Sequence, residues 1–138
     1  MPVPDIKVRM AQDVEAPIVS NLVSEIFDMG GWMPEFEKVF PYWLVAEIAG
    51  EIVGTVNLRI SLPITSIELL SLDPRLGKKD RSMVGKMLID SAMALASASG
   101  ATVISSMIPD DLASYLEVAL NRGYKIGAHG SIVFGRIK

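Results

Sequence analysis

The chain has 138 residues, half of them hydrophobic and 21% charged, with a formal net charge of −3. That length suits one domain with a real core, and the weakly acidic balance argues against a broad electrostatic surface for nucleic acid while leaving room for a local basic loop. The absence of cysteine and the single histidine, His129, exclude a disulfide framework, a thiolate metal site and a zinc site built on histidines. His129 reads as a turn residue between two short strands rather than as a triad member.

The first residues, Met1 to Arg9, carry no apolar leader, and no run approaches the ~18 apolar residues of a membrane span. One cytoplasmic domain over residues 1–138, with no membrane partner and no metal, is therefore expected. Ile6 to Met10 reads as a strand. Asp13 offers a helix cap with Glu15 in the first turn. Ile18, Leu22 and Ile26, flanked by Val19, Val23 and Phe27, give a helix one apolar face. Gly30-Gly31 ends it, and a short segment from Trp32 to Phe40 stops at Pro41.

Two alternating strands follow, Trp43 to Ile48 and Ile52 to Ile60, joined by a turn at Ala49-Gly50-Glu51. Pro63 punctuates the exit. Ser66 to Leu72 is a further strand, closed by Asp73-Pro74. A polar loop from Arg75 to Ser82 is expected to lead into a helix from Met83 to Ser99, with Val84, Leu88, Ala92 and Leu95 as its core stripe and Gly100 as its stop. Ala101 to Ile108 lacks alternation, as a strand inside a sheet does. Pro109-Asp110-Asp111 caps a last helix that runs to Arg122 and ends at Gly123. Tyr124 to His129 and Ser131 to Arg136 read as two closing strands.

This order defines an α/β layer fold: a mixed central sheet of about seven strands with helices on both faces. The strand, crossover helix and strand in its middle form a right-handed parallel unit. The order, together with four local patterns, resembles the Gcn5-related N-acetyltransferases over nearly the whole chain. Leu44 to Gly54 resembles that family's second hairpin. Ile67 to Pro74 resembles its fourth strand. Val84-Gly85-Lys86-Met87-Leu88-Ile89 resembles the opening of its CoA-binding helix. Leu120-Asn121-Arg122-Gly123-Tyr124 resembles the close of its last helix. Short chains of this kind also resemble small bacterial or phage-encoded members.

The resemblance implies acetyl-CoA as co-substrate. The fourth and fifth strands should splay after a bulge, and the backbone at Leu70, Ser71 and Leu72 should pair with the pantetheine amides like an added strand. The pyrophosphate should lie where the following loop meets its helix, among Lys79, Asp80, Arg81, Ser82, Met83, Val84, Gly85 and Lys86, with amide N–H groups and the helix dipole facing it. Gly85 would let the backbone approach the phosphates. Three departures stand out. Of the family's loop glycines only Gly85 is kept, and an acidic residue, Asp80, takes the first place. The run from Pro74 to Gly85 is about three residues longer than the common form, with Lys78, Lys79 and Arg81 able to supply cations. Ala119 stands where many members carry a tyrosine, and Tyr115, one helical turn earlier on the same face, could protonate the leaving thiolate instead.

The implied reaction is direct attack of an amine on the thioester in a ternary complex. Glu68 is the candidate base, directly or through water, and a backbone N–H near Ser71 or Leu72 the oxyanion donor. Glu68 reads equally well as an ion-pair member, Tyr115 as a cleft-edge or core tyrosine, and the charged run as a solvated loop. The acceptor would be a small-molecule, protein or peptide amine facing Asp28, Met29, Trp32, Met33, Glu35, Phe36, Glu37 and Phe40, residues that helix packing explains as well. A homodimer is left open. The alternative is a catalytically degenerate relative that serves as an acyl-CoA-binding or protein-interaction module.

Overall fold

The structure is a computed structural model that describes residues 4–27, 43–108 and 113–127. Its elements fall in two compact units, Met1–Ser106 and Met107–Lys138.

In the first unit, strand β1 (Ile6–Met10) pairs antiparallel with β2 (Trp43–Ile48), which pairs with β3 (Glu51–Arg59), which pairs with β4 (Ile64–Leu72). A short β5 (Val103–Ser105) lies parallel to β4. The sheet order is β1-β2-β3-β4-β5. Five strands are thus described against the seven expected. Of the two closing strands, Tyr124 to Gly127 makes no strand and the remainder, with His129, lies outside the described residues. β5 is also shorter than the expected Ala101 to Ile108, because its pairing ends at Ser66↔Ser105.

The β2–β3 turn is a two-residue one, with Ala49 at φ 53° and Gly50 at φ 81°. Two successive positive φ angles are what a primed hairpin turn requires to match strand twist. The sequence suggests one polar face for each of these strands. Instead the middle of β2 and β3 is buried on both, since helices cover both sides of the sheet.

Helix α1 (Ala16–Ile26) packs on β3 and β4. Gln12 caps the 3-10 turn Asp13–Glu15 that precedes it, in place of the expected Asp13. Glu15 closes the capping box by accepting the Gln12 N–H at 2.8 Å. Its buried stripe is Ala16, Val19, Leu22 and Val23 with Phe27 beyond, whereas Ile18 is 51% exposed. The 3-10 entry sets this phase.

Helix α2 (Lys78–Ala98) covers the other face. It buries Val84, Leu88, Ala92 and Ala96 against Leu44, Ala46, Val56, Leu58, Ile67 and Leu72. Each large side chain there contributes about 1.5–3 kcal/mol by leaving water. The constant spacing of four selects Ala96 over the expected Leu95, which is half-buried. The helix also starts five residues before the expected Met83, after Gly77. Lys78, Lys79, Asp80 and Arg81 look like a solvated loop by charge, yet no breaker separates them from the apolar stripe. They form the first turn, and its polar face is simply the outer one.

The second unit contains helix α3 (Ala113–Asn121). Gly123, at φ 90°, ends it, and the Tyr124 N–H returns to the Ala119 carbonyl at 3.1 Å. The expected cap at residues 109–111 is outside the described residues.

Candidate acyl-CoA and acceptor site

The site begins with a bulge in β4. Asn57 pairs with Glu68 and Thr55 with Ser71, so Leu69 and Leu70 together face the single residue Val56. Leu69 takes φ 57°, a left-handed angle that a leucine adopts only under constraint from its surroundings. The constraint is visible. Leu69 is buried, and Ser71 Oγ donates to the Leu69 carbonyl at 3.0 Å, bracing the extra residue. On the far side, pairing with β5 stops at Ser66. The rest of β4, through Leu70, Ser71 and Leu72, therefore keeps β3 on one side and has no β5 partner on the other.

Beyond β4 the chain turns sharply. The Asp73 N–H donates to the Val53 carbonyl at 2.8 Å, and Asp73 Oδ1 accepts the Arg75 N–H at 2.9 Å and its Nε at 2.8 Å. Arg75 also reaches Glu25 on α1 at 3.4 Å. Burial pushes the Asp73 carboxyl up, but the two Arg75 donors outweigh it and hold the group below the ordinary carboxylate range. This clasp fixes where α2 starts. Only the Asp-Pro pair signals it in sequence.

At the start of α2 the first helical bond is Arg81 N–H to the Gly77 carbonyl, at 2.9 Å. The amides of Gly77, Lys78, Lys79 and Asp80 precede it and point out of the helix end. Lys78 and Lys79 are exposed, and Asp80 and Arg81 half-buried. The expected residues further along are helix body. Ser82 and Lys86 are exposed, Met83 packs on the core, and Val84 is fully buried. Gly85 serves packing. A methyl group on it would stand 3.2 Å from Leu72 Cδ1.

Glu68 lies one residue before the bulge with its side chain 30% exposed. Its Oε2 is 3.9 Å from Arg59 Nε on β3, and that Nε donates to Asn57 Oδ1 at 3.2 Å. The sequence gives Asn57 and Arg59 no distinguishing mark; register alone brings them to Glu68. Asn57 Nδ2 is buried and has no hydrogen-bond partner among the described residues. Tyr115 and Ala119 are both half-buried on α3, within the second unit. The acceptor residues expected between 28 and 40 lie outside the described residues. Among the described residues no three carboxylates or histidines gather as a metal site, and no helix is long and apolar enough to cross a membrane.

No protein-family model matches the chain, and no curated protein matches it in sequence. Solved structures do match. An aminoglycoside N-acetyltransferase, AAC(6')-Iy, in complex with CoA, is 14% identical over 99% of this chain and 97% of its own, with a TM-score of 0.74. Ard1 from Thermoplasma volcanium is 17% identical over 89% of this chain and 84% of its own, at 0.73. A transcriptional regulator from Bacillus halodurans C-125 is 15% identical over 95% of this chain and all of its own, at 0.76. The chain has the fold of the Gcn5-related N-acetyltransferases.

Proposed function

We propose that the chain is an acetyl-CoA-dependent N-acetyltransferase. The observation that carries the reading is the bulge at Leu69-Leu70 with β4 unpaired by β5 beyond Ser66. Such an edge turns the backbone N–H and C=O groups of alternate residues in the run Leu70, Ser71 and Leu72 away from β3, where the pantetheine amides could pair with them. The helix end that follows supports the rest. The amides of Gly77 to Asp80 and the ammonium groups of Lys78 and Lys79 suit a diphosphate, and Asp80 opposes it. These groups fit acetyl-CoA as a whole.

In the proposed reaction the amine nitrogen attacks the thioester carbonyl, a C–N bond forms and the C–S bond breaks. Glu68 takes the proton released by the amine, directly or through water. A backbone N–H near Ser71 or Leu72 faces the developing oxyanion, where a preorganised donor counts most. The thiolate takes its proton from water. No metal is needed for this sequence.

Ala119, at the position where a tyrosine would serve as acid, favours a second reading: a CoA-binding or protein-interaction module without turnover. Calorimetry with acetyl-CoA followed by a thiol-release assay separates the two. Acetyl-CoA at about 100 times its Kd should stabilise the fold by about 2.7 kcal/mol. No heat and no shift in melting at millimolar acetyl-CoA overturns both. Binding with no thiol released to any amine in a broad panel leaves the module.

A further inference from the structure

Beside the bulge two opposite charges form a solvent-exposed ion pair with no hydrogen bond between them. Arg59 is 53% exposed and Glu68 30%. Their nearest nitrogen and oxygen are 3.9 Å apart, outside hydrogen-bonding range. Arg59 is nevertheless held in place, because its Nε donates to Asn57 Oδ1 at 3.2 Å and Asn57 is fully buried. That bond also fixes the amide orientation, since the reverse flip would set Nδ2 against a donor. Neither Nη nitrogen of Arg59 has a partner among the described residues. Neighbouring β3 and β4 positions therefore present an anchored guanidinium fork and a carboxylate to the same side.

We propose that this pair selects an acceptor that is itself a zwitterion, a free α-amino acid, with its carboxylate on the Arg59 fork and its amine on Glu68. The inference rests on the acetyltransferase reading for its chemistry. It deepens that reading by naming the substrate class. The physical ground is complementarity. A planar guanidinium with both Nη groups free binds a carboxylate bidentately through that edge. An amine bound to Glu68 alone could belong to any cation, but Arg59 beside it repels a polyamine and attracts a molecule whose anion adjoins its amine. The bond to the buried Asn57 engages Arg59 Nε and leaves the Nη end of the guanidinium and the Glu68 carboxylate without a hydrogen bond to each other.

The test is titration calorimetry of the whole chain with the protein amino acids and with their C-terminal amides, each with and without CoA. At least one amino acid should bind, and its amide about tenfold or more weakly, the loss expected for one charged hydrogen-bonded pair. Arg59→Gln should weaken the acid by about that factor and leave the amide unchanged, while Arg59→Lys retains part of the preference. Glu68→Gln should weaken acid and amide alike, since both carry the ammonium. Arg59→Gln should keep the wild-type CoA affinity and lower the melting temperature only slightly, because Asn57 Oδ1 loses the donor that Arg59 supplies. Amides that bind as well as the acids overturn the proposal and point to peptide N-termini. So does an Arg59→Gln variant that weakens both equally. If CoA binds and no amino acid does, this proposal fails and the acetyltransferase reading stands. If amino acids bind in the manner described and CoA does not, the acetyltransferase reading fails and the zwitterion site stands.

Discussion

Gly54 on β3 and Val84 on α2 approach so closely that a methyl group on Gly54 would lie 2.8 Å from Val84 Cγ1. The same methyl would lie 3.0 Å from Leu88 Cδ1 and 3.2 Å from Leu72 Cδ2. Helix α2 rests directly on the β3 backbone there, one residue pair from the bulge that opens β4. Gly54→Ala should therefore destabilise the fold by about 1–3 kcal/mol, the range for overpacking a filled core. Val84→Ala in the same chain should recover part of that loss, and a double-mutant cycle in urea measures the coupling. Additive effects would mean that the helix shifts without strain.

Arg9 ties three segments together. Its Nη1 and Nη2 meet Glu15 Oε1 and Oε2, each at 2.8 Å, and its Nε and Nη2 meet Glu47 at 3.2 and 3.1 Å. The hydrogen-bonded Arg9 guanidinium brings the Glu15 carboxyl from 4.5 down to about 2, against the opposing effect of burial. A depressed carboxyl pKa stabilises above the unfolded value and loses that stabilisation as pH falls toward the folded one. Glu15→Gln should thus lower stability by about 1 kcal/mol at neutral pH, discounted for the partly exposed pair. The gap from wild type should close between pH 4.5 and about 2. Urea titrations over that range supply the measurement.

Ala49 occupies the first position of the β2–β3 turn at φ 53° and is exposed. A side chain there is strained, and glycine or asparagine tolerates the angle better. Ala49→Asn, which makes an Asn-Gly turn, should raise stability by about 0.5–1 kcal/mol. Thermal melts check it. An unchanged or lower Tm would show that the turn adjusts at no cost.

Lys78 and Lys79 flank the free amides of α2. Reversing both charges to glutamate should weaken CoA by about tenfold or more and leave a pantetheine fragment without phosphates almost unaffected. The difference should shrink at high salt. Equal losses for both ligands would place the diphosphate elsewhere.

Glu68→Gln tests the proposed base. General acid–base groups contribute about 10²–10⁴-fold, so turnover should fall by that scale with acetyl-CoA affinity nearly unchanged. Full turnover in Glu68→Gln, once an acceptor is in hand, would leave the carboxylate a structural partner of Arg59.

Much of this protein is written in local periodicity. The alternation of Leu44 to Ile60, the spacing of Val84, Leu88 and Ala92, and the stops at Gly100 and Gly123 follow from backbone sterics and burial, which act over a few residues. The sequence therefore determined the order of the described strands and helices, though not the two closing strands it also suggests, and through that order the fold. It could not determine what depends on partners distant in the chain. Ile18 and Val19 are equally apolar, and only the 3-10 entry at Asp13 decided which faces the sheet. The charged run from Lys78 to Arg81 reads as loop or helix alike, until the Asp73–Arg75 clasp sets the helix start. The left-handed angle at Leu69 leaves no trace in its residue type, because burial and the Ser71 hydroxyl impose it. Asn57, Arg59 and Glu68 lie on two strands and mean nothing singly. The β3–β4 register, shifted by that bulge, makes them neighbours.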